Sequence, residues 1–317
     1  MPLDPQAEII INLVKQAGLP EFWQLTPPQA REQYAQRVKR AELKEPIHRT
    51  EDRHIPGPAS DIPIRIYWPR AAKASEFFPV LLWLHGGGFV IGDLDTHDSA
   101  CRLLANQTEC MVVAVDYRLA PEFKFPAAVE DCYAALRWLA LHAQEIGADP
   151  LRIAVGGDSA GANLATVMAI LARNDGHPKL VFQLLVYPCV APEPETPSHR
   201  KFADGYLLTR NNIVWFYKQY LRNQRDMQDF RFAPLVADDL SNLPPALVFV
   251  AGYDPLRDEG VEYVKRLIEA GNRVTLANYE GMVHGFILAG GVLDAAKRAI
   301  AESATALRAA FAEAAKR

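Results

Sequence analysis

Apolar residues recur along this chain in two rhythms, and the change of rhythm divides it. In residues 1–45, Ile9, Ile10, Leu13 and Val14 fall at helical spacing and predict an amphipathic helix. The pair Pro27-Pro28 interrupts that pattern. A second helix is expected over 29–43, with Arg37, Lys39, Arg40 and Lys44 on a solvated face. From residue 47 the period changes. Ile62, Ile64, Ile66 and Trp68 alternate with other residues, as in a strand with one covered face. Mainly apolar runs of strand length follow at 80–84, 111–115, 152–155, 181–186, 246–250 and 273–277. Such runs imply strands buried on both faces, hence a mostly parallel sheet covered by helices.

Helical patterns at 99–108, 127–146, 160–173 and 258–270 separate most of these strands, and another is expected over 292–316. Strand alternating with helix predicts an α/β layered domain. One stretch, 189–232, breaks the alternation: prolines cluster at its start, and a helix is expected over 210–221. It lies between two core strands and reads as an insertion above the sheet. The strand at 273–277 is a candidate sheet edge, where pairing between copies would make a dimer, so monomer and homodimer both stay open.

Composition narrows the class. The chain has 317 residues, half of them apolar, which suffices for a large core without disulfides or metals. The net charge of −4 leaves no cationic surplus for a phosphate backbone, so no nucleic-acid partner is expected. Uncharged stretches such as 160–172 fall short of the roughly 20 residues that span a bilayer, so no membrane partner is expected. Asp4 and Glu8 stand where a secretory leader would carry positive charge. Cys101, Cys110, Cys132 and Cys189 show no C-x-x-C spacing and are expected as reduced, mostly buried thiols. Together these point to a cytoplasmic protein. No zinc signature of the H-E-x-x-H type occurs, and neither metal nor cofactor is expected.

Two motifs carry chemistry. Gly157-x-Ser159-x-Gly161 lies between a buried strand and a helix, the setting that pushes a serine oxygen out of a sheet on a sharp turn. A shuffled chain of this composition would show the pattern in about 2–3% of cases. Phosphate-binding readings of the same segment fail: Ala162-Asn163 replaces the Lys-Ser/Thr of a P-loop, and Asp158 occupies the second glycine of a dinucleotide fingerprint. An idle serine on a tight connection is the alternative. His85-Gly86-Gly87-Gly88 follows the strand at 80–84, and its shuffled-chain frequency is about 0.2%. Glycines there let backbone N–H groups turn toward a developing oxyanion. A flexible connector is the alternative. His85 is expected to orient this loop.

A serine needs a base, and the base an orienting acid. His48, His54, His142, His177 and His199 stand in polar contexts and are expected to be exposed; His97 follows the glycine loop and could lie near the site. His284 comes just after the last core strand, at the carboxyl end where open α/β sheets build their sites. Asp254 begins the loop after the strand at 246–250; its rival Asp258 reads better as a helix N-cap.

These residues, with Asp116-Tyr117-Arg118-Leu119-Ala120-Pro121-Glu122, Asp254-Pro255-Leu256 and His284-Gly285-Phe286, resemble the hormone-sensitive lipase family of α/β-hydrolases, bacterial carboxylesterase type, over nearly the whole chain. The resemblance implies an α/β-hydrolase fold with a helical cap. The catalytic domain would be 46–188 and 233–317, and the cap region 1–45 and 189–232. It implies Ser159 as nucleophile, His284 as base, Asp254 as orienter, and the N–H groups of Gly87, Gly88 and Ala160 as oxyanion hole. The activity implied is hydrolysis of a small-molecule ester of short-to-medium acyl length through an acyl-enzyme. Ile213 and Tyr217, four apart on one helix face, would limit acyl length, and Phe89, Leu208, Phe22 and Trp23 are further pocket candidates. An amidase, lactonase or deacetylase would use the same triad, and a non-catalytic small-ligand receptor is the reading from another class.

Overall fold

A computed structural model describes residues 1–316. Eight strands form one sheet in the order β1-β2-β4-β3-β5-β6-β7-β8. They are β1 (Arg49–Ile55), β2 (Ile62–Trp68), β3 (Phe78–Leu84), β4 (Met111–Val115), β5 (Ala148–Asp158), β6 (Leu180–Val186), β7 (Ala246–Tyr253) and β8 (Val274–Val283). β1 and β2 are antiparallel to their neighbours, and β3 to β8 run parallel. β8 is an edge, as its sequence suggests. β1 is an element the pattern did not reveal: RTEDRHI is mostly exposed, pairs on one side only, and shows no apolar run.

The helices are α1 (Pro5–Gln16), α2 (Pro27–Ala41), α3 (Asp98–Thr108), α4 (Ala127–His142), α5 (Ala160–Asp175), α6 (Pro197–Lys201), α7 (Arg210–Tyr220), α8 (Arg257–Glu269) and α9 (Asp294–Ala314). Strand alternation divides the core. Val80, Leu82 and Leu84 of β3 pack with residues of α4, α5 and α8, whereas Leu81 and Trp83 pack with residues of α3 and α9. Pro27-Pro28 opens α2 instead of preceding it. Proline suits the first turn, where an N–H would lack an intrahelical acceptor, and Thr26 with Gln29 forms a capping box there.

The two segments outside the alternation meet each other. Trp23 N donates to Asn212 Oδ1 at 3.1 Å, Thr209 Oγ1 donates to Glu21 Oε2 at 2.6 Å, and the rings of Phe22 and Phe216 lie 6.1 Å apart. Lys124 Nζ donates to the carbonyls of Lys218, Gln219 and Leu221 at the end of α7, where the helix dipole favours a cation. No helix among the described residues is long and apolar enough to cross a membrane. All four cysteines are free and buried, as expected from their spacing.

Candidate active site

β5 ends at Asp158 and α5 begins at Ala160, so Ser159 carries the whole turn, with φ 55° and ψ −118°. A serine in the left-handed region costs on the order of 1–3 kcal/mol, which the surrounding structure must hold. The hold is visible: Ser159 N donates to Val186 O at 2.8 Å. A side chain at Gly161 would come within 1.9 Å of Leu84 O, so helix and strand approach closely only because residue 161 is glycine.

His284 directly follows β8, and Asp254 directly follows β7. His284 Nε2 lies 2.9 Å from Ser159 Oγ, and His284 Nδ1 lies 2.7 Å from Asp254 Oδ2. Asp254 is fully buried, and its Oδ1 accepts from Leu256 N at 2.8 Å. A carboxylate can only accept, so Nδ1 carries the proton and Nε2 offers its lone pair to the hydroxyl. Asp258 is engaged elsewhere: its Oδ2 accepts from Ser198 N at 2.8 Å, and it pairs with Arg257. It sits in the first turn of α8 and is not the N-cap.

The glycine loop is fixed from several sides. Tyr117 OH donates to His85 O at 2.7 Å, and the Tyr117 ring stacks on the His85 ring at 4.2 Å. His85 Nδ1 lies 2.8 Å from Gly86 O. Burial, then His97, pulls the His85 pKa down to about 4, so its ring is a neutral donor that orients the loop. Gly86 N donates to Asp158 Oδ1 at 2.9 Å, and His97 Nε2 lies 3.1 Å from the same oxygen. Burial alone would raise the Asp158 carboxyl; His97 and the Gly86 N–H hold it below its ordinary value. Gly88 takes φ +60°, and a side chain there would enter the Phe216 ring at 2.3 Å. Among the described residues, the N–H groups of Gly87, Gly88 and Ala160 have no protein acceptor, and all three residues line one cavity with Ser159 and His284.

A hydroxyl hydrogen-bonded to an imidazole, itself bonded to a buried carboxylate, beside free amides, suits acyl transfer. A family model for the alpha/beta hydrolase fold matches residues 81–288. Esterase LipI of Mycobacterium tuberculosis is 46% identical over 270 residues, covering 84% of each chain. An arylesterase of Saccharolobus solfataricus is 38% identical, covering 90% of this chain and 93% of its own. Among solved structures, a hyperthermophilic esterase from the archaeon Pyrobaculum calidifontis superposes with TM-score 0.92 at 42% identity, over 98% of this chain and 99% of that one. The chain belongs to the hormone-sensitive lipase family of α/β-hydrolases. It is a carboxylic ester hydrolase of the carboxylesterase type.

The cavity of this carboxylesterase has a volume of about 300 Å³. Phe22, Phe89, Leu208, Ile213 and Tyr217 all line it, as the sequence suggested. Trp23 does not: it is 42% exposed, and its indole N–H donates to Glu21. Tyr34, Leu207 and Phe216 also line the cavity and were not singled out from sequence. Arg37 departs from the expected solvated face: it is half-buried and lines the cavity too. Among the described residues no group of three or more His, Cys, Asp or Glu could hold a metal ion.

His199 corrects a second expectation. It is fully buried, its Nε2 3.3 Å from Glu259 Oε2 and its Nδ1 2.7 Å from Thr196 Oγ1. Its polar sequence neighbourhood hid this. Burial pulls the His199 pKa down to about 4 and pushes that of Glu259 up to about 8, although Val190 N and Ala191 N donate to Glu259 Oε1 and act against the rise. Burial thus favours the neutral form of both groups, whose Nε2 and Oε2 lie 3.3 Å apart without a hydrogen bond between them. The folded Glu259 carboxyl holds its proton above its unfolded value of 4.5, so its contribution to stability falls as pH rises from 4.5 toward 8 and levels off beyond. His199, depressed from 6.5 to about 4, contributes the opposite slope below 6.5, so the net loss of stability falls between pH 6.5 and 8. The slope is at most about 1.4 kcal/mol per pH unit. Glu259→Gln keeps the neutral form and removes the titration. Thermal unfolding of both proteins from pH 6 to pH 9 should show the wild type losing stability relative to the variant; parallel curves would contradict this account of the pair.

Proposed function

We propose that Ser159 is the nucleophile of this carboxylesterase, His284 its general base and acid, and Asp254 the group that orients His284. Ser159 attacks the ester carbonyl while His284 takes its proton. His284 returns that proton to the leaving alcohol, then activates the water that releases the acid. Gly87, Gly88 and Ala160 supply N–H groups to the tetrahedral oxyanion, and Ala160 adds the positive end of α5. The observation that carries this reading is the unbroken line from Asp254 Oδ2 to His284 Nδ1 at 2.7 Å and from His284 Nε2 to Ser159 Oγ at 2.9 Å.

In this reading residues 1–45 and 189–232 form a cap over the catalytic domain of 46–188 and 233–317. The acyl group enters beside α7, where Ile213 and Tyr217 end the pocket, with Phe89 and Leu208 as further walls. Support comes from burial: Ile213 and Tyr217 are 3% and 5% exposed, and the Tyr217 hydroxyl is anchored 3.2 Å from Cys189 Sγ. A cavity of about 300 Å³ is at the small end for ligand sites and suits short-to-medium acyl chains. Each added CH₂ gains about 0.8 kcal/mol until the pocket ends.

An acyl-length series with 4-nitrophenyl esters tests this. The optimum should lie at short-to-medium chains, and Tyr217→Ala should move it toward longer ones. An unchanged series in the variant would remove Tyr217 from the pocket end. The free, buried thiols fit a reducing compartment, and we read the enzyme as cytoplasmic.

A further inference from the structure

The active-site cavity contains a cation that the ester chemistry above does not use. Arg37, on α2, is half-buried, lines the cavity, and has neither ion pair nor hydrogen bond to any described residue. Its guanidinium lies 5.6 Å from the centre of the Phe22 ring. Burial pulls its pKa below the usual guanidinium range, with Tyr34 acting the other way. A desolvated cation without a counter-charge is costly, so its natural complement is an anion brought by the ligand.

The surroundings fit that complement. Tyr34, one turn earlier on α2, lines the same cavity, and its hydroxyl has no hydrogen-bond partner among the described residues. Arg40, one turn later, lines the cavity too and is exposed. The carboxylate lining the cavity, Asp158, is already held by the Gly86 N–H and His97. Aromatic rings link Arg37 to the reacting centre. Phe22 sits beside Arg37, Phe216 lies 6.1 Å from Phe22, and Phe216 covers Gly88. Phe22 and Phe216 thus form a continuous aromatic wall between Arg37 and the glycine loop within one cavity.

We propose that Arg37, with Tyr34, binds a carboxylate carried by the substrate, so that the enzyme prefers esters bearing a free acid group over neutral esters of the same shape. This rests on the Ser159 reading of the site. The acid could sit on the alcohol part or the acyl part of the ester; the chemistry of recognition is shared, and substrate pairs separate the two.

The test compares kcat/KM for matched twins. 4-Acetoxybenzoate against 4-acetoxybenzamide places the charge on the alcohol part, and ethyl hydrogen adipate against its neutral amide places it on the acyl part. In the wild type, one pair at least should favour the acid by about 10- to 100-fold, the range for a charge-assisted hydrogen bond out of bulk water. Arg37→Met should collapse that ratio toward one, and Arg37→Lys should leave it between, since an ammonium lacks the guanidinium's fork. Raising salt should lower the wild-type ratio, a readout that needs no variant. Wild-type ratios of one or below in both pairs would overturn the proposal, as would a ratio that Arg37→Met leaves unchanged. The Ser159→Ala protein separates the two readings: turnover of either twin there would refute the nucleophile, while the ratio still reports on Arg37.

Discussion

Ser159→Ala should lower kcat/KM toward simple esters by about 10⁶ and leave the protein folded. The substitution deletes one oxygen, whose hydrogen-bond partner is His284 Nε2. The backbone at residue 159 stays at φ 55°, held by its N–H to Val186 O and by the packing of Gly161 on Leu84, and none of these contacts involves the side chain. Residual rate comes from the oxyanion amides and substrate binding alone. Initial rates with 4-nitrophenyl butyrate, beside thermal unfolding, check both halves. Activity within tenfold of wild type in a folded variant would refute the assignment.

Asp254→Asn should cost about 10⁴ in kcat, the scale seen when a triad acid becomes an amide. The local geometry gives the reason. Leu256 N donates to Oδ1, so the amide oxygen of the variant takes that place and the NH₂ faces His284 Nδ1. The imidazole must then accept at Nδ1 and carry its proton on Nε2, where it faces the Ser159 hydroxyl and can no longer receive a proton. The cost is one of tautomer, not of fold. Asp258→Asn is the control, because Asp258 bonds to Ser198 and Arg257 and does not reach His284. If Asp258→Asn lost activity and Asp254→Asn did not, the orienting group would be misassigned.

Much of this was legible in the chain because burial writes itself into sequence. β3 to β7 are covered on both faces, so their apolar runs mark them, and β4 falls within the limits the run predicts. Ser159 and the glycine loop were legible because close approach restricts residue type: only glycine fits at residues 88 and 161. Asp254 and His284 could be placed because each follows a strand the pattern located, although β7 and β8 run on to Tyr253 and Val283, beyond the limits 246–250 and 273–277 that the apolar runs predict.

What stayed hidden depends on neighbours far along the chain. β1 is polar because it is an edge, and a single ladder of backbone bonds defines it. Arg37 resembled its charged neighbours until Phe22 and the cavity closed over it. His199 became a core residue only because Glu259, sixty positions later, turned toward it. Phe216 adjoins Trp215 and Tyr217 in a run of aromatics, and nothing local says which ring covers Gly88. In each case the periodicity was sound and the missing information was a contact between segments.

In the proposed mechanism one hydroxyl, on Ser159, takes up the acyl group. Mass spectrometry of the digested enzyme after inactivation by an aryl phosphonate tests it most directly. The phosphonyl group should appear on the peptide carrying Ser159, at one group per chain, and Ser159→Ala should remain unlabelled. Label on another residue, or full inactivation with Ser159 unmodified, would contradict the account.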